Sequence, residues 1–204
     1  MVVSIASVMA IAIPTDAVLA STAGYLTIKT AAVNSRLDAV IPTDGPLPKD
    51  GSGGAFGYGI ITKAGVNAVI VATHQGVKSS VDQGSGPVWH THFVRLGFGI
   101  TGLCGTNPEI QAITFQEPGR VVVVGSIAIL QLIPSSFTVT DALTIHRLTL
   151  TPGHNVQNVV SFELVPISQR SAHAICVENI KDAQHIIKNP GDIVGDLINL
   201  PSLS

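Results

Sequence analysis

The feature that most constrains this fold is a succession of short apolar runs, each bounded by residues that end strands. The runs are rich in Val and Ile, and Pro, Gly, Asn or Asp separate them. This spacing is typical of β-strands joined by turns. The runs are Tyr25–Thr30, Ala55–Thr62, Asn67–Thr73, Val88–Leu96, Ile110–Phe115, Val121–Val124, Ile127–Leu132, Phe137–Val139, Leu143–Leu150, Val159–Val165 and Ala174–Val177.

About ten short strands without an intervening long helical pattern predict an all-β fold. We expect a β-sandwich of the immunoglobulin-like or jelly-roll type, with short antiparallel strands. Hydrophobic residues make up 46% of the 204 positions and charged residues 12%. Such a chain can bury the two inward-facing sheet surfaces of a sandwich, which excludes intrinsic disorder as its dominant state.

Three segments are predicted along the chain. Residues 1–20 are a predicted signal peptide, because residues 2–13 are apolar and uncharged and small residues precede the cleavage point after Ala20. The alternative is that this stretch is retained as a strand, which could also insert into a neighbouring subunit. Residues 21–178 form the sandwich domain. Residues 179–204 form a short irregular or helical tail that packs on the domain.

The charge and hydropathy patterns argue against nucleic-acid binding and against a membrane span. The chain has 11 Lys and Arg against 13 Asp and Glu, without a basic cluster, so no nucleic acid is expected to bind. The best candidate for a membrane span outside the N-terminus is residues 121–140. Gly125 and Ser126 interrupt this stretch and Pro134 closes its apolar part, which favours two strands joined by a turn. We therefore expect no membrane span in the mature chain.

The chain has two cysteines, Cys104 and Cys176. In an exported protein such a pair predicts one disulfide, and loop-closure entropy gives it about 4 kcal/mol. The alternative, for a cytosolic protein, is two buried thiols. Together with the signal peptide, the disulfide predicts a secreted or cell-surface protein, extracellular or periplasmic.

The main chemical signal is the segment Trp89-His90-Thr91-His92-Phe93. Side chains two positions apart on a strand share a face, so His90 and His92 lie side by side, about 7 Å apart at Cα. Two imidazoles at this separation can share one metal ion. Trp89, Thr91 and Phe93 then face the other way, into packing. The alternative is that both histidines face solvent and bind no metal.

His74 is the predicted third ligand. If its strand and the strand of His90 form an antiparallel hairpin, His74 falls opposite or diagonal to His90. Three imidazoles with one open position suit zinc, and they suit copper as well. Asp82, in the connecting loop, is a candidate fourth ligand. Alternatively, it does not touch the metal and orients a metal-bound histidine by a hydrogen bond to the other ring nitrogen. His146 and His173 are further candidates whose strands the sequence does not place.

The histidine pair also carries a resemblance. In a β-rich exported chain, His90 and His92 resemble the His-x-His strand of copper–zinc superoxide dismutases. The resemblance implies a bridging histidine and further ligands within the next few tens of residues. No histidine occurs between His92 and His146, so the resemblance does not extend to a dinuclear centre.

Two functions fit these observations. The first is an exported protein that binds copper or zinc through the His-x-His strand. Binding or storage is preferred to catalysis, because no Glu is placed to act as a general base beside a metal-bound water. The second is an extracellular structural, fibre or adhesion subunit that self-associates through β-strands and has no metal chemistry.

Overall fold

The computed structural model describes residues 24–48, 53–62, 67–74, 89–114, 119–134, 137–140, 147–150, 155–170 and 172–188. Within these ranges the chain forms thirteen strands and one 3-10 helix, Gly24–Leu26, so the predicted all-β class is confirmed. The strands are β1 (Thr30–Val33), β2 (Ala39–Pro42), β3 (Ala55–Thr62), β4 (Asn67–His74), β5 (His90–Phe98), β6 (Pro108–Ile113), β7 (Arg120–Val124), β8 (Ile127–Gln131), β9 (Phe137–Thr140), β10 (Arg147–Leu150), β11 (Val156–Gln169), β12 (Ala172–Asp182) and β13 (His185–Lys188).

Two sheets pack against each other, as expected for a sandwich. One has five strands in the order β13-β1-β2-β8-β7. The other runs β11-β12-β6-β5-β4-β3, and β3 pairs again with β11, so this sheet closes on itself as a six-stranded barrel. Strands β9 and β10 form a separate antiparallel pair. Closure removes the free edges of the larger sheet, which would otherwise be open to pairing with another chain.

Apolar side chains between the five-stranded sheet and the barrel form the first core, here called the interface cluster. Ile41 and Leu130 come from the sheet, and Phe56 and Phe93 come from the barrel wall. All four are at most 1% exposed. Burial of side chains of this size is the main favourable contribution to folding, at roughly 1.5–3 kcal/mol each.

A second core fills the inside of the barrel and is here called the interior cluster. Its buried members are Val94, Ile110, Val160, Phe162, Leu164 and Val177. Strand β5 therefore contributes to both cores, since Phe93 points out to the interface cluster and Val94 points into the barrel. Both faces of this strand are buried, although its alternating sequence is typical of a half-buried strand.

The segment that enters the first strand forms a tight turn, so the predicted strand Tyr25–Thr30 is wrong. The Tyr25 ring packs on Phe56, with ring centroids 4.5 Å apart. The hydroxyl groups of Tyr58 and Ser161 donate hydrogen bonds to the carbonyl oxygens of Tyr25 and Leu26, at 2.5 and 2.6 Å. These bonds provide hydrogen-bond donors for carbonyl groups of the 3-10 turn. In a strand, the same carbonyl groups would have bonded to a neighbouring strand.

The two tyrosines of the chain predict a loss of stability at alkaline pH. Burial raises the pKa of Tyr58 far above its ordinary value of 10.0. Burial, and then the charge of Glu163, raise the pKa of Tyr25. Above pH 10.0 the unfolded chain loses these protons while the folded chain keeps them. The unfolded state then binds fewer protons, so the free energy of unfolding falls as pH rises.

Urea unfolding at increasing pH, with tyrosinate absorbance recorded in parallel, tests this prediction. We expect tyrosinate to appear only as the protein unfolds. Tyr58→Phe should reduce the fall in the free energy of unfolding above pH 10.0. Because this variant loses the hydrogen bond to the Tyr25 carbonyl oxygen, its free energy of unfolding should be lower by about 1 kcal/mol at neutral pH. Full ionisation of both tyrosines in a protein with unchanged circular dichroism would contradict the prediction.

The barrel closes between β6 and β12 at a narrow seam. In the described residues these strands share one paired position, Glu109 with Cys176. The predicted disulfide is present and joins Cys176 to Cys104, which lies in the loop between β5 and β6. The Glu109 carboxylate is buried and accepts hydrogen bonds from the backbone N–H and the hydroxyl group of Thr101 in the same loop. The disulfide and this carboxylate together hold the loop beside the seam.

The C-terminal segment differs from the expectation of an irregular or helical tail. Residues 179–182 continue β12, and β13 pairs with β1 in parallel, with Thr30 opposite His185. The expectation of antiparallel strands throughout is therefore wrong for this pair. Pairing with β1 covers a sheet edge and packs Ile186 against the interface cluster. Residues 189–204 and the predicted signal peptide, residues 1–20, lie outside the described residues.

The prediction of two strands joined by a turn is confirmed for residues 121–134. Strands β7 and β8 pair antiparallel from Arg120 with Gln131 to Val124 with Ile127. Gly125, in the turn, has a φ of 55°, a left-handed conformation that glycine adopts without a Cβ clash. None of the helices among the described residues has the length and apolar character needed to cross a membrane.

Candidate functional site

His90 and His92 lie on β5 and face the inside of the barrel. The pairing of β5 with β4 is regular from His90 to Arg95. Side chains two positions apart therefore share a face along this part of the strand. Since Val94 belongs to the interior cluster, His92 and His90 lie on the interior face with it, and Phe93 lies on the opposite face.

Two glycines of β3 leave space beside the histidines. By register, Gly57 and Gly59 of β3 lie in the same cross-strand rows as His90 and His92, with one strand between them. A glycine contributes no side chain to the interior. The barrel therefore has room at this level for two imidazole rings.

The two imidazoles are adjacent and almost fully buried. His90 is 7% exposed and His92 is 6% exposed. Their ring centroids are 4.6 Å apart and the rings are nearly perpendicular, at 84°. The predicted shared face is confirmed, and the alternative that both face solvent is wrong. At this separation a nitrogen of each ring can reach one ion about 2 Å from both.

A backbone carbonyl group fixes which ring nitrogen of His92 carries a proton. Its Nδ1 lies 2.8 Å from the carbonyl oxygen of Thr114, the residue that follows β6. A carbonyl oxygen only accepts hydrogen bonds, so Nδ1 must carry the proton and donate. The lone pair of the neutral ring then lies on Nε2. A hydrogen bond from one ring nitrogen to a carbonyl group is the usual support of a histidine that binds metal through the other.

The backbone register places His74 near this pair. Strands β4 and β5 form the predicted antiparallel hairpin, with Ala72 opposite His90. His74 is two residues further along β4 and is therefore diagonal to His90. In a regular ladder such positions are about 7–8 Å apart. The structure describes the backbone of His74 but not its side chain.

Of the remaining predicted ligands, His173 is described, and it does not join the pair. His173 is exposed at the start of β12, and its Nδ1 lies 2.9 Å from the hydroxyl oxygen of Ser168. His146 and Asp82 lie outside the described residues. No three His, Cys, Asp or Glu side chains of the described part gather into a group that could hold an ion. The described part of the site is therefore a histidine pair.

Sequence reasoning missed three contributors to the site. Thr114 acts through its backbone carbonyl, which no residue pattern reveals. Gly57 and Gly59 make room for the rings, and their spacing of two residues on a predicted strand was a readable signal that one face of that strand lacks side chains. No family model, curated protein or solved structure matches the chain, so its chemistry has to be inferred from these residues.

Proposed function

We propose that this protein binds one transition-metal ion, copper or zinc, inside its barrel through His90 and His92, with His74 as the third ligand. The observation that carries the proposal is the buried histidine pair, with ring centroids 4.6 Å apart and one ring held by a carbonyl group. Binding or storage is proposed rather than catalysis.

The choice of metal follows from the ligand type. Imidazole nitrogen suits zinc and copper, whereas calcium and magnesium prefer oxygen ligands. The hydrogen bond from His92 to Thr114 supports this, because with Nδ1 as the donor the neutral ring carries its lone pair on Nε2. The backbone position of His74 supports a third nitrogen ligand from the adjacent strand.

Export to an oxidising compartment is part of the proposal. The disulfide between Cys104 and Cys176 supports it, because disulfides persist in secreted and periplasmic proteins and are rare in the cytosol. An exported metal-binding protein meets copper or zinc outside the cell and does not compete with cytosolic thiols for it.

Elemental analysis of the oxidised chain, produced without a histidine tag, tests the metal site. We expect about one copper or zinc ion per chain and loss of that ion in His90→Ala/His92→Ala. The matched control is His173→Ala/His185→Ala, which removes two exposed histidines and should keep the ion. Because alanine leaves space in the interior, His92→Gln is the second variant, and it should lower the affinity while keeping the fold.

Absence of metal from the wild-type chain, even after incubation with Cu(II) and Zn(II), would overturn the proposal. Equal loss of metal in the control variant would also overturn it, because the ion would then bind exposed histidines. Circular dichroism of each variant separates loss of the ion from loss of the fold.

The second candidate function, a structural subunit that self-associates through β-strands, is favoured by one observation. Strand β7 lies at the edge of the five-stranded sheet and contains four consecutive valines, of which Val124 is 57% exposed. An exposed apolar edge strand is a template for pairing with a second chain. Sedimentation of the histidine variants distinguishes the two functions, because edge pairing does not depend on His90 and His92.

A further inference from the structure

The barrel interior contains a cavity of about 220 Å³, which Gly59 and Val94 line but His90 and His92 do not. Its walls come from β3, β5, β6, β11 and β12. Val94 and Phe162 line its deeper part and are at most 3% exposed. Of the described residues that line it, Gln157 alone has a polar side chain, and that side chain is exposed.

The rim of the cavity is apolar and faces water. Phe98 and Ile180 line the cavity and are 62% and 44% exposed. Ile100, two residues beyond Phe98, is 52% exposed. Strand directions place these residues together, because β5 and β12 both run towards this end of the barrel. Exposed apolar residues around a concave apolar site are the usual surroundings of a ligand entrance.

We propose that this cavity binds a small neutral apolar molecule, about the size of a substituted benzene ring. An engineered apolar cavity of about 150 Å³ stays dry and binds benzene, and the present cavity is somewhat larger. The cavity does not favour an ionised ligand. No described lining residue carries a charge, and burying an uncompensated charge is costly. The exposed amide of Gln157 can hydrogen-bond a polar substituent at the entrance.

Neither His90 nor His92 lines this cavity, which adjoins the proposed metal site at Gly59, in the same cross-strand row as His92. His90 begins β5, whereas Phe98 ends it and lies at the rim of the cavity. The ligand therefore enters from the end of the barrel opposite the histidine pair. The proposal does not depend on metal binding, and the His90→Ala/His92→Ala variant can fail to bind metal while the cavity still binds its ligand.

Calorimetric titration of the full oxidised chain with toluene tests the proposal, with benzoate as the charged probe of similar size. We expect saturable binding of one toluene per chain and binding of benzoate weaker by about tenfold or more. Ile180→Asp places a charge at the rim and should weaken toluene binding by about tenfold. The matched control is Ile187→Asp, on β13, where isoleucine is 50% exposed and does not line the cavity; it should bind toluene as the wild-type chain does.

A second variant keeps the test decisive if the rim change alters the fold. Val94→Phe fills the cavity from β5 and should abolish toluene binding, with circular dichroism used to check that the barrel is intact. Three outcomes would overturn the proposal: no saturable binding of toluene, unchanged binding in a folded Val94→Phe protein, or benzoate binding as tight as toluene binding.

Discussion

Replacing Cys104 and Cys176 together by alanine is expected to lower the free energy of unfolding by about 4 kcal/mol. The disulfide closes a loop across 72 positions, and the entropy that such a cross-link removes from the unfolded chain has this size. Alanine is preferred to serine because Cys176 is 0% exposed, and a buried hydroxyl group would add a separate desolvation cost. The effect should be large because Cys176 lies at the one position where β6 and β12 pair in the described part of the chain.

Urea unfolding followed by the fluorescence of Trp89, the one tryptophan of the chain, measures this loss. The matched control is the wild-type chain kept reduced, which should be about as stable as the variant. In the variant, amide hydrogen exchange should accelerate most in β6 and β12. It should accelerate less in β3 and β11, which are extensively paired. A variant as stable as the oxidised wild-type chain would contradict the prediction.

Phe56→Ala is expected to lower the free energy of unfolding by about 3–5 kcal/mol. Phe56 is 1% exposed, and its ring lies among three other aromatic rings. Its ring centroid is 4.5 Å from that of Tyr25, 6.3 Å from that of Tyr58 and 5.2 Å from that of Trp89. Truncation to alanine therefore removes three ring contacts and leaves a cavity that β-strands on both sides cannot easily close.

Phe98→Ala is the matched control, because it removes the same atoms from a position that is 62% exposed. Its cost should stay below about 1 kcal/mol. Thermal and urea unfolding of the two variants give the comparison. Equal destabilisation by both would show that the interface cluster does not carry the stability assigned to it.

Local sequence patterns predicted most of the barrel strands but not how they close. Strand β3 has the predicted bounds, Ala55–Thr62, because its glycine and aromatic residues mark it clearly. Strands β1 and β2 were missed, since Thr30–Val33 and Ala39–Pro42 contain Ala and Pro, which are depleted in strands. Their packing on the interface cluster overrides that weak preference. Closure depends on pairing between β3 and β11, which are far apart in the chain and share no local signal.

The histidine site was likewise only partly predictable from the sequence. The period of two residues along a strand was enough to place His90 and His92 on one face. It could not show that this face is buried, because an isolated strand with alternating residues normally exposes one side. Closure of the barrel buries that side. The Thr114 carbonyl that orients His92 belongs to the backbone just after β6, and side-chain identity does not encode it.

The parallel pairing of β1 with β13 has a consequence for biosynthesis. It joins the first described strand to the last, and the barrel likewise needs β11 and β12 before it can close. Contacts between such distant segments have a high closure entropy and form slowly. Neither sheet can be completed while the ribosome still holds the C-terminal strands. Completion of the two sheets therefore waits until the strands from β11 to β13 have left the ribosome, however early the other strands pair.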